Sequence, residues 1–289
     1  MRGIPFRVLG GCYGKGVLYL RRLPFKGRLL VCDMDGTLLD SGSKVSRENK
    51  LALERFVDGG GLFTVATGRM EKTVIQYLSD LPVNVPAIVY NGAAIYDFKT
   101  DKMLWKDNLP WSIIEPAKQV IRRFPDIGTV VYREGETYFV RQNNYTHEHM
   151  IRENFKPIIA ELEDIPQPWF KIILTWEPAK LPEVEEFLKG FNEPFRQVYS
   201  EPQFLELLNH SVSKGNALKV LTKMLGLSKA CVIAMGDNPN DVELITEADI
   251  GIAVGNAHNI LKAAADICCV DNDRNAVSEV IELLYKLQK

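Results

Sequence analysis

The sequence predicts an α/β fold built on a parallel sheet, because short apolar runs alternate with helical patterns. Three such runs, residues 28–32, 62–66 and 87–90, are rich in Leu, Val, Ile and Ala. Continuous apolar runs of this length are typical of strands that are buried on both faces of a parallel sheet. Each run stops at a small polar cluster, and these clusters begin at Asp33, Thr67 and Asn91.

The segments between these strands have helical or hairpin patterns. Ser46 is placed to cap a helix whose apolar residues recur up to Val57, and the glycines at 59–61 end it. A second helix is predicted at about 71–80, and a hairpin over about 95–108 follows the third strand. This order of elements predicts βαβ architecture.

A change of composition at Pro110 marks a predicted insert. Residues 110–208 have an α+β pattern, with helices expected at 111–124, 144–162 and 180–190. Strands are expected at 129–133, 137–141, 169–176, 195–199 and 203–208. The core is expected to comprise residues 29–109 and 209–289. Its second part has a helix from about 215, short strands at 231–235, 250–254 and 266–270, and a last helix at about 275–288.

Residues 1–28 form a basic N-terminal extension, with seven Lys or Arg and no acid. Three interpretations stay open: a disordered tail, an organelle leader, or a start codon placed too far upstream. The rest of the chain carries a net charge of −9, which argues against general nucleic-acid binding. No apolar run approaches the roughly 18 residues that a membrane helix requires.

The five cysteines lack the spacing of a metal site. Four of them lie in or beside apolar strand patterns: Cys32, Cys231, Cys268 and Cys269. This placement is typical of small buried residues in a reducing compartment, so we expect a cytoplasmic protein. The four histidines are interpreted as structural or solvent-facing.

Acidic side chains gather where the predicted core strands end. Asp33 and Asp35 follow the first strand, and Asp237 and Asp241 follow the strand at 231–235. The first pair alone is as compatible with a polar turn as with a catalytic site. Ligands in open α/β sheets bind outside the carboxyl ends of the strands, so all four acids are expected at one edge.

Carboxylates held close together raise one another's pKa, so such a cluster implies a cation between them. An all-oxygen ligand set favours Mg²⁺ where a phosphate completes the coordination. Lys214 and the hydroxyl of Thr67 supply the matching groups for phosphate.

Four stretches in this order resemble the motifs of the haloacid dehalogenase (HAD) superfamily of phosphohydrolases. They are DMDGTL at 33–38, TGR at 67–69, SKGNAL at 213–218 and GDNPND at 236–241. The insert resembles a large, C2B-type cap domain. Together with Asn91-Gly-Ala93, it points to the Cof-like phosphatases, which implies a Rossmann-like core with an inserted α+β cap.

The resemblance implies roles for individual residues. Asp33 would be the nucleophile, and Asp35 would be the general acid and then the general base. Thr67 and Lys214 would bind the transferring phosphoryl group. Mg²⁺ would be held by Asp33, by Asp237 and by the backbone carbonyl of Asp35, while Asp241 orients the metal site and the lysine. The implied contacts to the substrate are Gly36, Arg69, Asn91 and Asn240.

The sequence therefore predicts a Mg²⁺-dependent phosphomonoester hydrolase that acts on small phosphorylated metabolites, such as sugar phosphates or phosphorylated cofactors, through an aspartyl-phosphate. A phosphomutase on the same scaffold is the alternative enzyme. A non-catalytic sensor of phosphorylated metabolites is the alternative of another class. The specific metabolite and the oligomeric state are not indicated by the sequence.

Overall fold

The structure is a computed structural model that describes residues 24–79, 81–192 and 194–286. Most of the predicted N-terminal extension, residues 1–23, lies outside the described residues. The first part of the described chain alternates strands and helices and ends in a hairpin. Its elements are β1 (Leu29–Cys32), α1 (Arg47–Asp58), β2 (Leu62–Val65), α2 (Glu71–Leu78), β3 (Ala87–Val89), β4 (Ala94–Asp97) and β5 (Lys102–Lys106).

The middle part of the chain contains most of the antiparallel strands. Its elements are α3 (Ile114–Arg123), β6 (Gly128–Arg133), β7 (Glu136–Arg141), α4 (Asn144–Glu153), β8 (Ile158–Ile159), β9 (Lys171–Thr175), α5 (Leu181–Leu188), β10 (Phe195–Glu201) and β11 (Phe204–Asn209). The last part returns to alternating helices and strands. Its elements are α6 (Lys214–Met224), β12 (Val232–Gly236), α7 (Val242–Glu247), β13 (Ile250–Ala253), α8 (Asn259–Ala264), β14 (Ile267–Cys268) and α9 (Ala276–Lys286).

The core sheet has the order β14-β13-β12-β1-β2, and each neighbouring pair is parallel. All four residues of β1 are fully buried, as their apolar side chains require at the centre of such a sheet. From β1 the chain proceeds to β2 on one side, whereas β12 leads to β13 and β14 on the other. The strand order therefore reverses between β1 and β12, which is where open parallel sheets bind their ligands.

The middle part forms a second sheet, with the order β10-β11-β9-β6-β7-β8. One face of this sheet packs under α3 and α5, where Ile172 and Leu205 are buried in a separate apolar cluster. Alternate residues point to the opposite face, so Ile173 and Phe204 join the cluster of the core domain instead. The predicted α/β core with an inserted α+β domain is thus confirmed.

The predicted helix over 144–162 is wrong beyond residue 153. Asn154 adopts a left-handed conformation with φ of 53° and ends α4. Asparagine tolerates this conformation better than most residues, so it is a common residue at a helix end. The chain then forms β8, which pairs with β7 in parallel.

The predicted extension also ends earlier than residue 28. Phe25 is fully buried, and its ring lies 4.6 Å from that of Phe56 and 4.5 Å from that of Tyr285. Its backbone N–H donates to the carbonyl of Gly59 at 2.9 Å. Residues 24–28 therefore belong to the core domain, a result of tertiary packing that the basic composition of this segment concealed.

Within the described part of the chain, no helix combines the length and the apolar character that crossing a membrane requires.

Gly92 brings two loops of the core together. It has a φ of 95°, and a β-carbon at this position would lie 2.2 Å from the backbone carbonyl oxygen of Ser213. Ser213 caps α6 by accepting the N–H of Asn216 at 3.0 Å, and this cap makes Lys214 the first residue of the helix. The loop at residue 92 thus packs directly against the backbone that positions Lys214.

We expect Gly92→Ala to lower the free energy of unfolding by at least about 3 kcal/mol, because it adds a backbone clash to an unfavourable φ. Gly226→Ala is the matched control, since Gly226 has a φ of 65° with no atom within 4 Å of the added β-carbon. We expect the control to lose only about 1 kcal/mol. Urea unfolding of the three proteins measures the difference, and equal losses would contradict the proposed clash.

Candidate active site

The ends of β1 and β12 place two acidic residues at the same edge of the core sheet. Cys32 pairs with Met235 in the parallel register, and the N–H of Asp33 continues the ladder by donating to the carbonyl of Met235 at 3.0 Å. Asp237 follows directly after β12. The parallel register thus holds Asp33 and Asp237 beside each other at the point where the strand order reverses.

Three carboxylates and one ammonium form the centre of the site. Oxygen atoms of Asp33, Asp237 and Asp241 all lie within 4.8 Å of one another. The Nζ of Lys214 donates to Oδ1 of Asp33 and to Oδ1 of Asp241, both at 2.6 Å. All four side chains are buried. A single positive charge therefore faces up to three negative charges.

The pKa values of Asp33, Asp237 and Lys214 reflect this imbalance of charge. Burial, opposed by Lys214 and reinforced by Asp241, raises the pKa of Asp33 to about 7. Burial and the neighbouring carboxylates raise the pKa of Asp237 to about 9. Burial alone would lower the pKa of Lys214, but Asp241 and Asp33 outweigh it and raise that pKa. The cluster is thus short of positive charge.

The donor set matches a small divalent cation in chemistry as well as in charge. The groups that converge are carboxylate oxygens, which hard cations such as Mg²⁺ prefer. Gly36 leaves room for one of them, because a β-carbon there would lie 2.4 Å from Oδ2 of Asp237, and its φ is 80°. The residues present therefore fit the metal that the sequence predicts.

Asp241 is anchored on the side that faces away from the lysine. Its Oδ2 accepts the backbone N–H groups of Asp237 at 3.1 Å and of Asn238 at 3.2 Å. Its Oδ1 remains available to Lys214. This geometry suits the predicted orienting role of Asp241 and holds the loop that carries Asp237.

Asp35 forms a bidentate ion pair with Arg69. The Nε of Arg69 donates to Oδ2 at 2.8 Å and its Nη2 donates to Oδ1 at 2.6 Å. The Asp35 side chain is 49% exposed, whereas the arginine side chain is 2% exposed. Partial burial opposes ionisation of Asp35, but the hydrogen bonds and charge of Arg69 outweigh it and lower the pKa of Asp35. Asp35 is therefore ionised in this arrangement.

Thr67 and Asn91 connect the ends of β2 and β3. Thr67 is buried and does not line the cavity, and its hydroxyl accepts the N–H of Arg69 at 3.1 Å. The N–H of Asn91 donates to the carbonyl of Thr67, and Asn91 has a left-handed φ of 57°. Its side-chain oxygen accepts from Nδ2 of Asn240 at 3.1 Å. Asn91 and Asn240 both line the cavity.

A cavity of about 310 Å³ lies between the core edge and the second sheet. Most of the residues on its core side are among those that the sequence predicts. The second domain contributes further residues that were not predicted, which include His149, Arg152, Glu153, Lys171, Phe204 and Glu206. One feature of the sequence indicates two of them. Lys171 and Glu206 are charged residues in otherwise apolar strands, where a charged residue is rare unless it is paired.

His149 is buried, as the structural interpretation of the histidines allowed, but it also forms part of the cavity wall. Its Nε2 lies 2.5 Å from the hydroxyl oxygen of Tyr132. Burial, reinforced by the charges of Lys171 and Arg152, lowers the pKa of His149 to about 3. The imidazole is therefore neutral.

Comparison with known proteins identifies the family. Residues 30–281 match the model of the haloacid dehalogenase-like hydrolases. The 5-amino-6-(5-phospho-D-ribitylamino)uracil phosphatase YcsE of Bacillus subtilis is 28% identical over 88% of this chain and 94% of its own length. The pyridoxal phosphate phosphatase YbhA of Escherichia coli is 24% identical over 88% of this chain and 97% of its own length.

The fold is shared with a solved structure, the HAD subclass IIB sugar phosphatase BT4131. The superposition has a TM-score of 0.80 at 19% identity and covers 89% of this chain and 99% of that chain. This likeness concerns the fold alone, and it includes the inserted domain. The family match spans both parts of the core and all four motifs, so the chain belongs to the haloacid dehalogenase-like hydrolases and is a phosphatase of that superfamily.

Proposed function

We propose that the protein is a Mg²⁺-dependent phosphomonoester hydrolase that acts on small phosphorylated metabolites through an aspartyl-phosphate on Asp33. The observation that supports this most strongly is the position of the Asp33 carboxylate. It is buried at the end of β1, is held by Lys214 at 2.6 Å, and faces the same cavity as Asp35 and Asp237. A carboxylate nucleophile needs no base to activate it once it is ionised.

The phosphoryl group would be bound by groups that line the same cavity as Asp33. Lys214 is charged, and its ammonium lies beside the nucleophile. The Nη1 of Arg69 is buried without a hydrogen-bond partner among the described residues and is a further donor. Mg²⁺, held by Asp33, Asp237 and the carbonyl of Asp35, would neutralise charge so that an anionic nucleophile can approach an anionic phosphate.

The proposed reaction has two halves. An oxygen of Asp33 attacks phosphorus, the bond to the ester oxygen breaks, and Asp35 donates a proton to the departing alkoxide. Water then loses a proton to Asp35 and attacks the same phosphorus, which releases inorganic phosphate and restores the Asp33 carboxylate. The first half leaves Asp35 ionised and able to accept a proton from water, and the second half leaves it protonated again, as a general acid–base requires.

The substrate class follows from the size and polarity of the cavity. At about 310 Å³ it is at the small end of ligand sites, and most of its lining residues are charged or polar. The two relatives that act on pyridoxal phosphate and on a phosphoribitylamino-uracil support a small phosphorylated metabolite. We propose that residues 110–208 act as a cap that excludes water and selects the leaving group. A cytoplasmic location stays a prediction.

A buried polar network connects the proposed cap to the core. The Nζ of Lys171 donates to Oε2 of Glu206 at 2.9 Å and to the carbonyl of Gly68 at 2.9 Å. The same Oε2 of Glu206 accepts from Nδ2 of Asn91 at 2.7 Å. Lys171 and Glu206 are residues of β9 and β11, whereas Gly68 and Asn91 are in core loops. The network therefore holds the second sheet over the catalytic edge.

We expect Lys171→Met to destabilise the protein by about 3 kcal/mol, because it leaves the Glu206 carboxylate buried without its cation. The double variant Lys171→Met/Glu206→Gln is expected to lose less than the sum of the single variants. Lys180→Met is the control, since Lys180 forms an exposed pair with Glu177 and its loss is expected to leave the unfolding midpoint unchanged. Additive losses in urea unfolding would contradict the network.

We expect Asp33→Asn to lower kcat for p-nitrophenyl phosphate by about 10³-fold or more, because the amide cannot form the phosphoryl intermediate. Asp249→Asn removes an exposed carboxylate just before β13, at the end of the strand opposite the catalytic edge, and is expected to retain wild-type kcat. Phosphate release measures both variants, and circular dichroism checks that they are folded. An active Asp33→Asn variant would overturn the assignment of the nucleophile.

Removal of metal is expected to abolish phosphate release, and added Mg²⁺ is expected to restore it. Binding is also expected to stabilise the folded wild type, by about 2.7 kcal/mol at a free Mg²⁺ concentration of 100 times Kd. Asp237→Asn should lose most of this stabilisation, because it removes a proposed ligand. Thermal unfolding with and without Mg²⁺ measures the effect independently of activity. An equal shift in the wild type and in Asp237→Asn would contradict the proposed metal site.

A further inference from the structure

The wall that the second domain contributes to the cavity contains one acidic group that is not paired. Glu206 is paired with Lys171 at 2.9 Å, and Glu201 accepts from Nη1 of Arg152 at 2.8 Å. Glu153, at the end of α4, lines the same cavity and is 7% exposed. Its Oε2 has no hydrogen-bond partner within the described ranges.

A second unpartnered polar atom lies beside this carboxylate. The Nδ1 of His149 is buried and has no hydrogen bond among the residues that the structure describes. It lies 3.8 Å from Oε1 of Glu153, too far for a direct hydrogen bond. A hydroxyl group bound here would accept from the imidazole and donate to the carboxylate, and would thus give both unpartnered groups a partner.

Leaving a buried carboxylate without hydrogen bonds is costly, on the order of several kcal/mol, so proteins rarely retain one without a partner. The charges around Glu153 define what that partner can be. Burial raises the pKa of Glu153, while Arg69, Lys171 and Arg152 oppose this rise because their positive charges lie nearby. Each of these cations is already paired with a carboxylate, namely Asp35, Glu206 and Glu201 respectively. A second anion would be repelled by Glu153, and an ammonium group would bring a fourth cation into a buried wall that already holds three. A neutral donor remains.

We propose that Glu153, together with His149, binds a hydroxyl group of the substrate's leaving group and thereby selects phosphate esters of neutral, polyhydroxylated compounds. This inference rests on the proposed phosphatase function and adds the residue that discriminates among substrates. Glu153 acts by binding the leaving group and has no part in the bond-breaking steps at phosphorus.

The first test compares kcat/KM across a fixed panel of phosphate esters. The panel contains glucose 6-phosphate, ribose 5-phosphate and glycerol 3-phosphate as hydroxylated esters, glucosamine 6-phosphate as a cationic one, pyridoxal 5′-phosphate as a flat aromatic one, and p-nitrophenyl phosphate as the reference. The wild type is expected to prefer a neutral hydroxylated ester. Preference for glucosamine 6-phosphate or pyridoxal 5′-phosphate would overturn the proposal.

The second test uses Glu153→Gln with Glu148→Gln as the matched control. Glu148 is on the same helix and undergoes the same change of charge, but it is exposed and does not line the cavity. For Glu153→Gln, kcat/KM for the best hydroxylated ester should fall about 10- to 100-fold relative to p-nitrophenyl phosphate, as expected for loss of a hydrogen bond to a charged group. The control should keep the wild-type ratio. An unchanged ratio in Glu153→Gln would refute the role of Glu153.

A third measurement compares deoxy analogues, and its wild-type part is decisive even where the variant does not fold. With the wild type, kcat/KM for one deoxy analogue of the best hydroxylated ester should be lower than for the parent ester by a similar factor. With Glu153→Gln, the same analogue and the parent ester should have nearly equal kcat/KM. If every deoxy analogue retains the kcat/KM of the parent ester, the site binds water only and the proposal is wrong. A failure of the proposed phosphatase function would look different from a failure of this inference. In that case the wild type would release no phosphate from any ester, including p-nitrophenyl phosphate.

Discussion

The site depends on one ammonium placed among three carboxylates. Lys214 is held at 2.6 Å from both Asp33 and Asp241, and Asp237 completes a cluster whose oxygens lie within 4.8 Å of one another. Such a cluster is tolerable only where fixed donors offset the repulsion. Two backbone N–H groups bind Asp241, and the hydroxyl of Thr37 donates to Asp237 at 3.3 Å. These donors are in place because β1 and β12 are neighbours in a parallel sheet.

The core part of the site was predictable because it follows from where strands end. Asp33, Lys214, Asp237 and Asp241 are in short motifs at the ends of apolar runs or at the start of a helix, and the carboxyl ends of parallel strands share an edge. The fold class was predictable for the same reason. The local environment of each residue was not predictable. The sequence indicates neither that Thr67 is buried outside the cavity lining nor that Asp35 is paired with Arg69.

The residues from the second domain were harder to predict because their role depends on long-range pairing. Lys171 and Glu206 share a face since β9 and β11 are antiparallel neighbours, with Glu206 opposite Ile173 and Lys171 opposite Leu208. The alternation of a strand reveals which residues share a face, but it does not reveal which face meets another domain. The burial of Phe25 has the same origin, because its aromatic partners, Phe56 and Tyr285, lie far from it in the sequence.

The pairing of Asp35 with Arg69 has a consequence for the proposed mechanism. An ionised Asp35 is ready to accept a proton from water, but it must gain a proton before it can protonate a leaving group. Arg69 also binds phosphate well, since its planar guanidinium matches phosphate oxygens as it matches a carboxylate. A phosphate that draws Arg69 away would weaken the ion pair and place new negative charge near Asp35, and both changes raise the pKa of this carboxyl. Under the proposed mechanism, bound substrate thus favours the protonated form of Asp35 that can act as an acid, whereas water alone in the cavity does not.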